Sequence, residues 1–201
     1  YLLNTREIEL AGVDFRKSPH AGAKEERAVE AVVLDQVERY LELEELMPEA
    51  DVRWVSPLGA EFQIRHIEDA EQAAEELRNL WELGIDPIPI MAELLEERGV
   101  KVVALSLPIN VSGSKAYVQR PDKDGLPVIV VNQHHNGERQ RFTLAHELGH
   151  LVLRFAGLSE KDQEKAADRF AGAFLMAKEM MFRVLGKNRT SISLGELADL
   201  K

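Results

Sequence analysis

RQRFTLAHELGHLVL, running from Arg139 to Leu153, sets two histidines four residues apart within an apolar stretch of helical character. Four residues along an α-helix turn the side chain by about 40° and advance it by about 6 Å. His146 and His150 therefore share a face, and both imidazoles can reach one ion about 2 Å from each ring nitrogen. Glu147 follows His146 by one residue, about 100° around the axis. It can flank such an ion and take a proton from an attacking water. This is the H-E-x-x-H pattern of zinc hydrolases. Phe142, Leu144, Ala145, Leu148, Leu151 and Val152 surround it, so the helix is expected to be a core helix. Gly149 inside it costs about 1 kcal/mol relative to Ala, and a close approach by another backbone would explain that cost. On the competing reading, the two histidines are polar surface residues of an amphipathic helix.

A catalytic zinc takes three protein ligands and leaves a fourth position for water. The chain has no cysteine, so the third ligand must be a histidine or a carboxylate. The next helix carries EKAADRFAGAFLM from Glu164 to Met176, with Glu164 and Asp168 on one face. Ala167 and Ala171 continue that face with small side chains, allowing close packing on the histidine helix. Glu164, with the longer reach, is assigned as ligand. Asp168 is assigned as acceptor for the free N–H of a ligating histidine. For most of the 35 acidic residues, including Glu160, Asp162 and Glu179, a solvated surface role is the better reading.

Working outward, the order of elements is helices, then a small sheet, then helices, an α+β layout. The spacing of Ala28, Val32, Leu34, Val37, Leu41 and Leu46 predicts a long helix from Lys24 to about Met47, after an irregular lead-in. A connector from Asp51 to His66 with a short strand follows. A second amphipathic helix is predicted over Glu68–Leu83, capped by Gly84, and a third runs from Asp86-Pro87-Ile88-Pro89 to Arg98, closed by Gly99. Strands are expected at Val100–Leu107, Ala116–Gln119 and Pro127–Val131. The last is too apolar for a wet face and should lie against a helix. An exposed edge there could align an extended substrate by strand addition. Helices are then predicted over Glu138–Phe155 and Glu160–Met176. The expected division is a lead-in and long helix over 1–67, a peptidase domain over 68–186, and the start of a helical region over 187–201.

His134 and His135 in the Gln-His-His-Asn-Gly turn, and Tyr117, are candidates for stabilising a developing oxyanion. Loop exposure for the histidines and packing for the tyrosine are the simpler readings. A net charge of -10 argues against this piece gripping a phosphate backbone by itself, and no apolar run is long enough to cross a bilayer. The absence of cysteine is compatible with a reducing, cytoplasmic setting.

RFTLAHELGHLVL followed by E-x-x-A-D-R-F-A-x-x-F-L-M resembles the ImmA/IrrE family of metallo-endopeptidases, a compact gluzincin-like group. Upstream, LWELGIDPIP, then a Glu-rich helix ending in ERGVKVVAL, then PVIVVN and ERQRFTLAHELGH follow the family's order, so the likeness covers roughly Glu68 to Met181. It implies a small sheet packed on the H-E-x-x-H helix and on a second ligand-bearing helix. It also implies Zn2+ on His146, His150 and Glu164, with Glu147 as general base. One departure is Ala177, where members usually carry Pro. VDFRKSP and the long helix after it are similar to members whose peptidase domain follows an Xre-type helix-turn-helix, which is absent from this chain. SLGELADLK resembles the start of the helical region after the core, so both ends look trimmed. The resemblance implies a protein or peptide substrate, often an Xre-type repressor, cleaved under stress or in mobile-element control. A homodimer through the N-terminal helix is a further expectation. Two other readings stand beside these: a zinc-binding sensor module without robust turnover, and a structural domain without metal.

Overall fold

The computed structural model describes residues 9–11, 23–47, 52–58, 63–120 and 123–187, with 191, 193, 195 and 196 beyond them. A four-stranded sheet is formed by β1 (Glu9–Ala11), β4 (Gly113–Arg120), β5 (Lys123–Asn132) and β3 (Lys101–Leu105), in that spatial order. β4 runs antiparallel to β5, and β3 runs parallel to it. β1 lies antiparallel to β4 opposite Tyr117–Gln119. A second, two-stranded sheet joins β2 (Gln63–Ile64) to β6 (Arg154–Phe155). The helices are α1 (Ala23–Leu46), α2 (Asp69–Leu80), α3 (Met91–Glu96), α4 (Gly137–Val152), α5 (Glu160–Leu175) and α6 (Lys178–Leu185). The α+β expectation holds.

β5 carries the apolar run Val128–Val131 because both of its faces are covered. Leu126, Val128 and Val130 point into a cluster with Val33, Val37 and Leu41 of α1. Ile129 and Val131 point the other way, into a larger cluster with Leu144, Ala145 and Leu148 of α4. Period-two alternation thus feeds two cores at once, which is why the strand shows no polar face. β5 is also paired on both edges, so substrate alignment by strand addition at Pro127–Val131 is excluded. Pro127 fits this central strand because the β3 ladder begins one residue later, at Val128.

α1 meets the sheet through Val33, Val37 and Leu41, spaced four apart, each worth about 1.5–3 kcal/mol when buried. Its last turns bury an ion pair, Lys101 with Glu44, whose side chains are only 3% and 9% exposed. The Lys101 ammonium also lies 4.5 Å over the Tyr40 ring. Burial first, then the nearby Glu96 and Glu44 carboxylates, push the Tyr40 phenol up to about 12.

Several boundaries differ from expectation. α2 stops at Leu80, not Leu83, and Gly84 is not its cap. Glu82 takes the left-handed conformation (φ 55°), with Glu82 N–H bonded to Asn79 O and Leu83 N–H to Arg78 O. This is a Schellman closure built on a non-glycine residue. α3 is a short helix that begins at Met91, after the Pro87–Pro89 stretch. α4 ends at Val152, and Arg154–Phe155 leave it to pair with β2. Arg78, 3% exposed, ties these parts together by donating to the carbonyls of Gly84, Asp86 and Phe174.

The buried pair gives a test of how α1 is held. Lys101→Met alone should lower stability by about 3–5 kcal/mol in urea unfolding, because Glu44 is left buried without its partner. The double change Lys101→Met with Glu44→Leu should recover most of that loss. Equal destabilisation by the single and double variants would contradict a buried, coupled pair.

Candidate metal centre

α4 begins at Asn136, whose side chain accepts from Arg139 N–H, and α5 begins at Ser159, whose hydroxyl accepts from Asp162 N–H. The two helices pack closely because small residues face each other. A Cβ placed on Gly149 would come within 3.0 Å of Phe170 Cδ1 and 3.6 Å of the Ala167 Cα. Ala167, Phe170 and Ala171 are fully buried. The neighbour that explains Gly149 is therefore mainly the Phe170 ring, with the α5 backbone behind it. On the other side, β4 lies so close to α4 that a Cβ on Gly113 would meet Thr143 Cγ2 at 2.6 Å.

That packing brings the side chains of His146, His150 and Glu164 together. His146 Nε2 and His150 Nε2 are 3.1 Å apart. Glu164 Oε2 is 3.4 Å from His146 Nε2, and Oε1 is 3.2 Å from His150 Nε2. Four ligands placed tetrahedrally at about 2.0–2.1 Å from one ion would be about 3.3–3.4 Å from each other. The three donors thus form one face of such a tetrahedron, and the donor set of two imidazoles and a carboxylate suits a borderline-soft divalent ion. They are the His/Cys/Asp/Glu group that can hold a metal ion among the described residues.

The surroundings orient these donors. Asp168 Oδ1 lies 2.8 Å from His146 Nδ1. A proton on Nδ1, donated to this carboxylate, leaves the Nε2 lone pair pointing at the shared position. The His150 ring lies edge-on to Phe155, with centroids 6.0 Å apart. Lys115 Nζ donates to the His150 carbonyl at 3.0 Å, where the last turn of α4 has carbonyls without helical partners. A cation there also suits the negative end of the helix. Glu147, 8% exposed, points from the same helix into the protein rather than to open solvent.

Sequence reading singled out neither Lys115 nor Phe155. The signal for Lys115 was a charged residue within a strand whose alternate positions face a helix.

The other candidates fall elsewhere. His135 is buried, with Nε2 2.9 Å from the Ile109 carbonyl. It helps Asn132 hold the loop before β4, since Asn132 Nδ2 donates to the carbonyls of Leu107, Pro108 and Val111. It precedes the N-terminus of α4, and His146 lies eleven residues on, about 16 Å along the axis. His134 is exposed beside it. Tyr117 packs against the larger core, and burial raises its phenol pKa, so it remains a neutral hydrogen-bonding group.

A family model described as Peptidase_M78, IrrE N-terminal-like domain, matches residues 95–200. No curated protein matches the chain.

The contact between Asp168 and His146 predicts a specific cost. Asp168→Ala should weaken metal binding about 10–100-fold in a chelator competition, while leaving the fold intact by circular dichroism. Unchanged affinity would mean that the aspartate does not orient the ligand.

Proposed function

The chain belongs to the Peptidase_M78 family, and on that premise we propose that it is a zinc-dependent endopeptidase acting on a regulatory protein such as an Xre-type repressor. The observation that carries the reading is the 3.1–3.4 Å triangle of donors that His146 and His150 of α4 form with Glu164 of α5, with Glu147 next to the first histidine on α4. A peptidase needs a group that holds the electrophile and a base that moves a proton, and in this reading the two packed helices supply both.

In this reading His146, His150 and Glu164 hold Zn2+, and Asp168 fixes the His146 tautomer. When bound, the ion would polarise the scissile carbonyl and acidify the attacking water. Glu147 accepts the proton of that water and delivers it to the leaving amine, so one carboxylate acts as base and then as acid. Its burial favours this exchange by limiting competing solvent. The arrangement of Lys115 and Phe155 keeps the end of α4 and the His150 ring in place while the substrate binds.

The repressor as substrate rests on the likeness of RFTLAHELGHLVL and EKAADRFAGAFLM to ImmA/IrrE endopeptidases, and cytoplasmic action follows from such a substrate. Among the described residues no helix is long and apolar enough to cross a membrane. A homodimer through α1 would have to use Val32, Leu43 and Leu46, because Val33, Val37 and Leu41 are spent on the sheet.

Glu147→Gln should abolish cleavage of a co-expressed repressor while retaining one equivalent of zinc. A chelator should abolish wild-type cleavage, and added zinc should restore it. Wild-type cleavage rates in Glu147→Gln would refute the mechanism. Stoichiometric zinc without turnover in the wild type would favour the sensor reading.

A further inference from the structure

From Thr143 to Val152, every residue of α4 is buried except His146 and His150. One turn earlier on the same face stands Phe142, 39% exposed. Phe142 precedes His146 by four residues, as His146 precedes His150, so the three side chains form one row. The sequence places Phe142 among the apolar residues of a core helix, but its ring joins neither hydrophobic cluster. Among the described residues it is the exposed large apolar side chain that α4 and α5 carry, whereas Phe170 and Phe174 of α5 are fully buried.

The turn of α4 that bears this ring is held from behind. Thr143, the next residue, is buried against β4 at the Gly113 contact, and its hydroxyl donates to the Arg139 carbonyl. Arg139, a turn before Phe142, donates from its guanidinium to Ser112 Oγ at 2.9 Å. An exposed aromatic ring by itself needs no explanation. This one lies four residues from His146, about 6 Å along the helix axis. An extended peptide advances about 3.3–3.6 Å per residue. A peptide that lies along the row with its scissile carbonyl at the donor triangle therefore carries its second or third residue past Phe142.

We infer that Phe142 is the wall of a substrate subsite, which takes an apolar side chain two or three residues from the bond to be cleaved. The inference rests on the peptidase reading and adds to it the class of peptide that the site selects. An apolar side chain laid on the ring removes apolar surface from water on both partners. Phenylalanine offers that surface at low entropic cost, since only two side-chain torsions are fixed. Glycine would gain nothing there, and a carboxylate would lose hydration against the ring without a partner. Phe142 carries no donor atom, so it acts on the choice of substrate and not on the reaction itself.

Peptide hydroxamates bind through their zinc-chelating group, so they read the subsite without turnover. Calorimetry on the zinc-loaded protein compares an all-glycine hydroxamate with versions carrying Leu at the first, second or third position from the chelating group. Leu at the second or third position should tighten binding by about tenfold in the wild type. Phe142→Ala should lose that gain while keeping its zinc and its circular dichroism, and Phe142→Leu should keep most of the gain. An equal gain in Phe142→Ala, or no gain at either position in the wild type, would overturn the inference. Failure of every hydroxamate to bind the wild type would overturn it as well. Conversion of a wild-type dimer to a monomer by Phe142→Ala would also overturn it, by assigning the ring to a second copy. Hydroxamate selectivity without cleavage of any peptide would refute turnover while upholding the apolar subsite.

Discussion

The contact between α4 and α5 is the constraint on which the remainder rests. Gly149 gives up helix stability so that Phe170 and Ala167 can approach. Only at that separation can Glu164, reaching from α5, come within 3.4 Å of the His146 and His150 nitrogens on α4. A larger residue at 149 would push Phe170, which is fully buried and stacked on Phe174, and the helices would have to part. A shift of a few tenths of an ångström matters little to a hydrophobic core. It matters a great deal to ligands about 2 Å from an ion.

The sheet serves that contact by holding α4 on its other side. β5 feeds side chains to both faces, so α1 and α4 are clamped to one slab, with α1 closing the smaller core and α4 the larger. Gly113 lets β4 lie flush on α4, and from the same strand Lys115 fixes the His150 carbonyl. The histidines are thus placed by contacts on three sides: α5, β4 and the Phe155 turn. Preorganisation of this kind removes the entropy that a flexible donor set would lose on capturing an ion.

Much of this was legible in the sequence because the informative signals were local. The spacing of His146 and His150, and of Glu164 and Asp168, follows from helical geometry alone. The small residues Ala167 and Ala171 announced a close helix contact, and the Asp168–His146 hydrogen bond has the geometry expected for it. The apolar run of β5 required covering, and it is covered twice. What escaped were features set by long-range packing. Pro127–Val131 read equally well as an edge or a centre, since main-chain pairing leaves no mark on side-chain pattern. Glu82 closes α2 in a conformation that propensity assigns to glycine. Lys115 and Phe155 act on His150 from other elements, and His135 proved to be a loop anchor rather than part of the centre. For β5, Lys115 and His135 the deciding partner lies many residues away, whereas Glu82 and Phe155 act over three to five residues through a turn geometry that the side-chain pattern does not mark.

The most direct test of the centre is X-ray absorption at the zinc edge on the purified protein. With His146, His150 and Glu164 as ligands, one zinc per chain should show a four-coordinate nitrogen and oxygen shell at about 2.0–2.1 Å, with imidazole scattering beyond it. A six-coordinate shell of oxygens without imidazole features would contradict a metal held by these two helices.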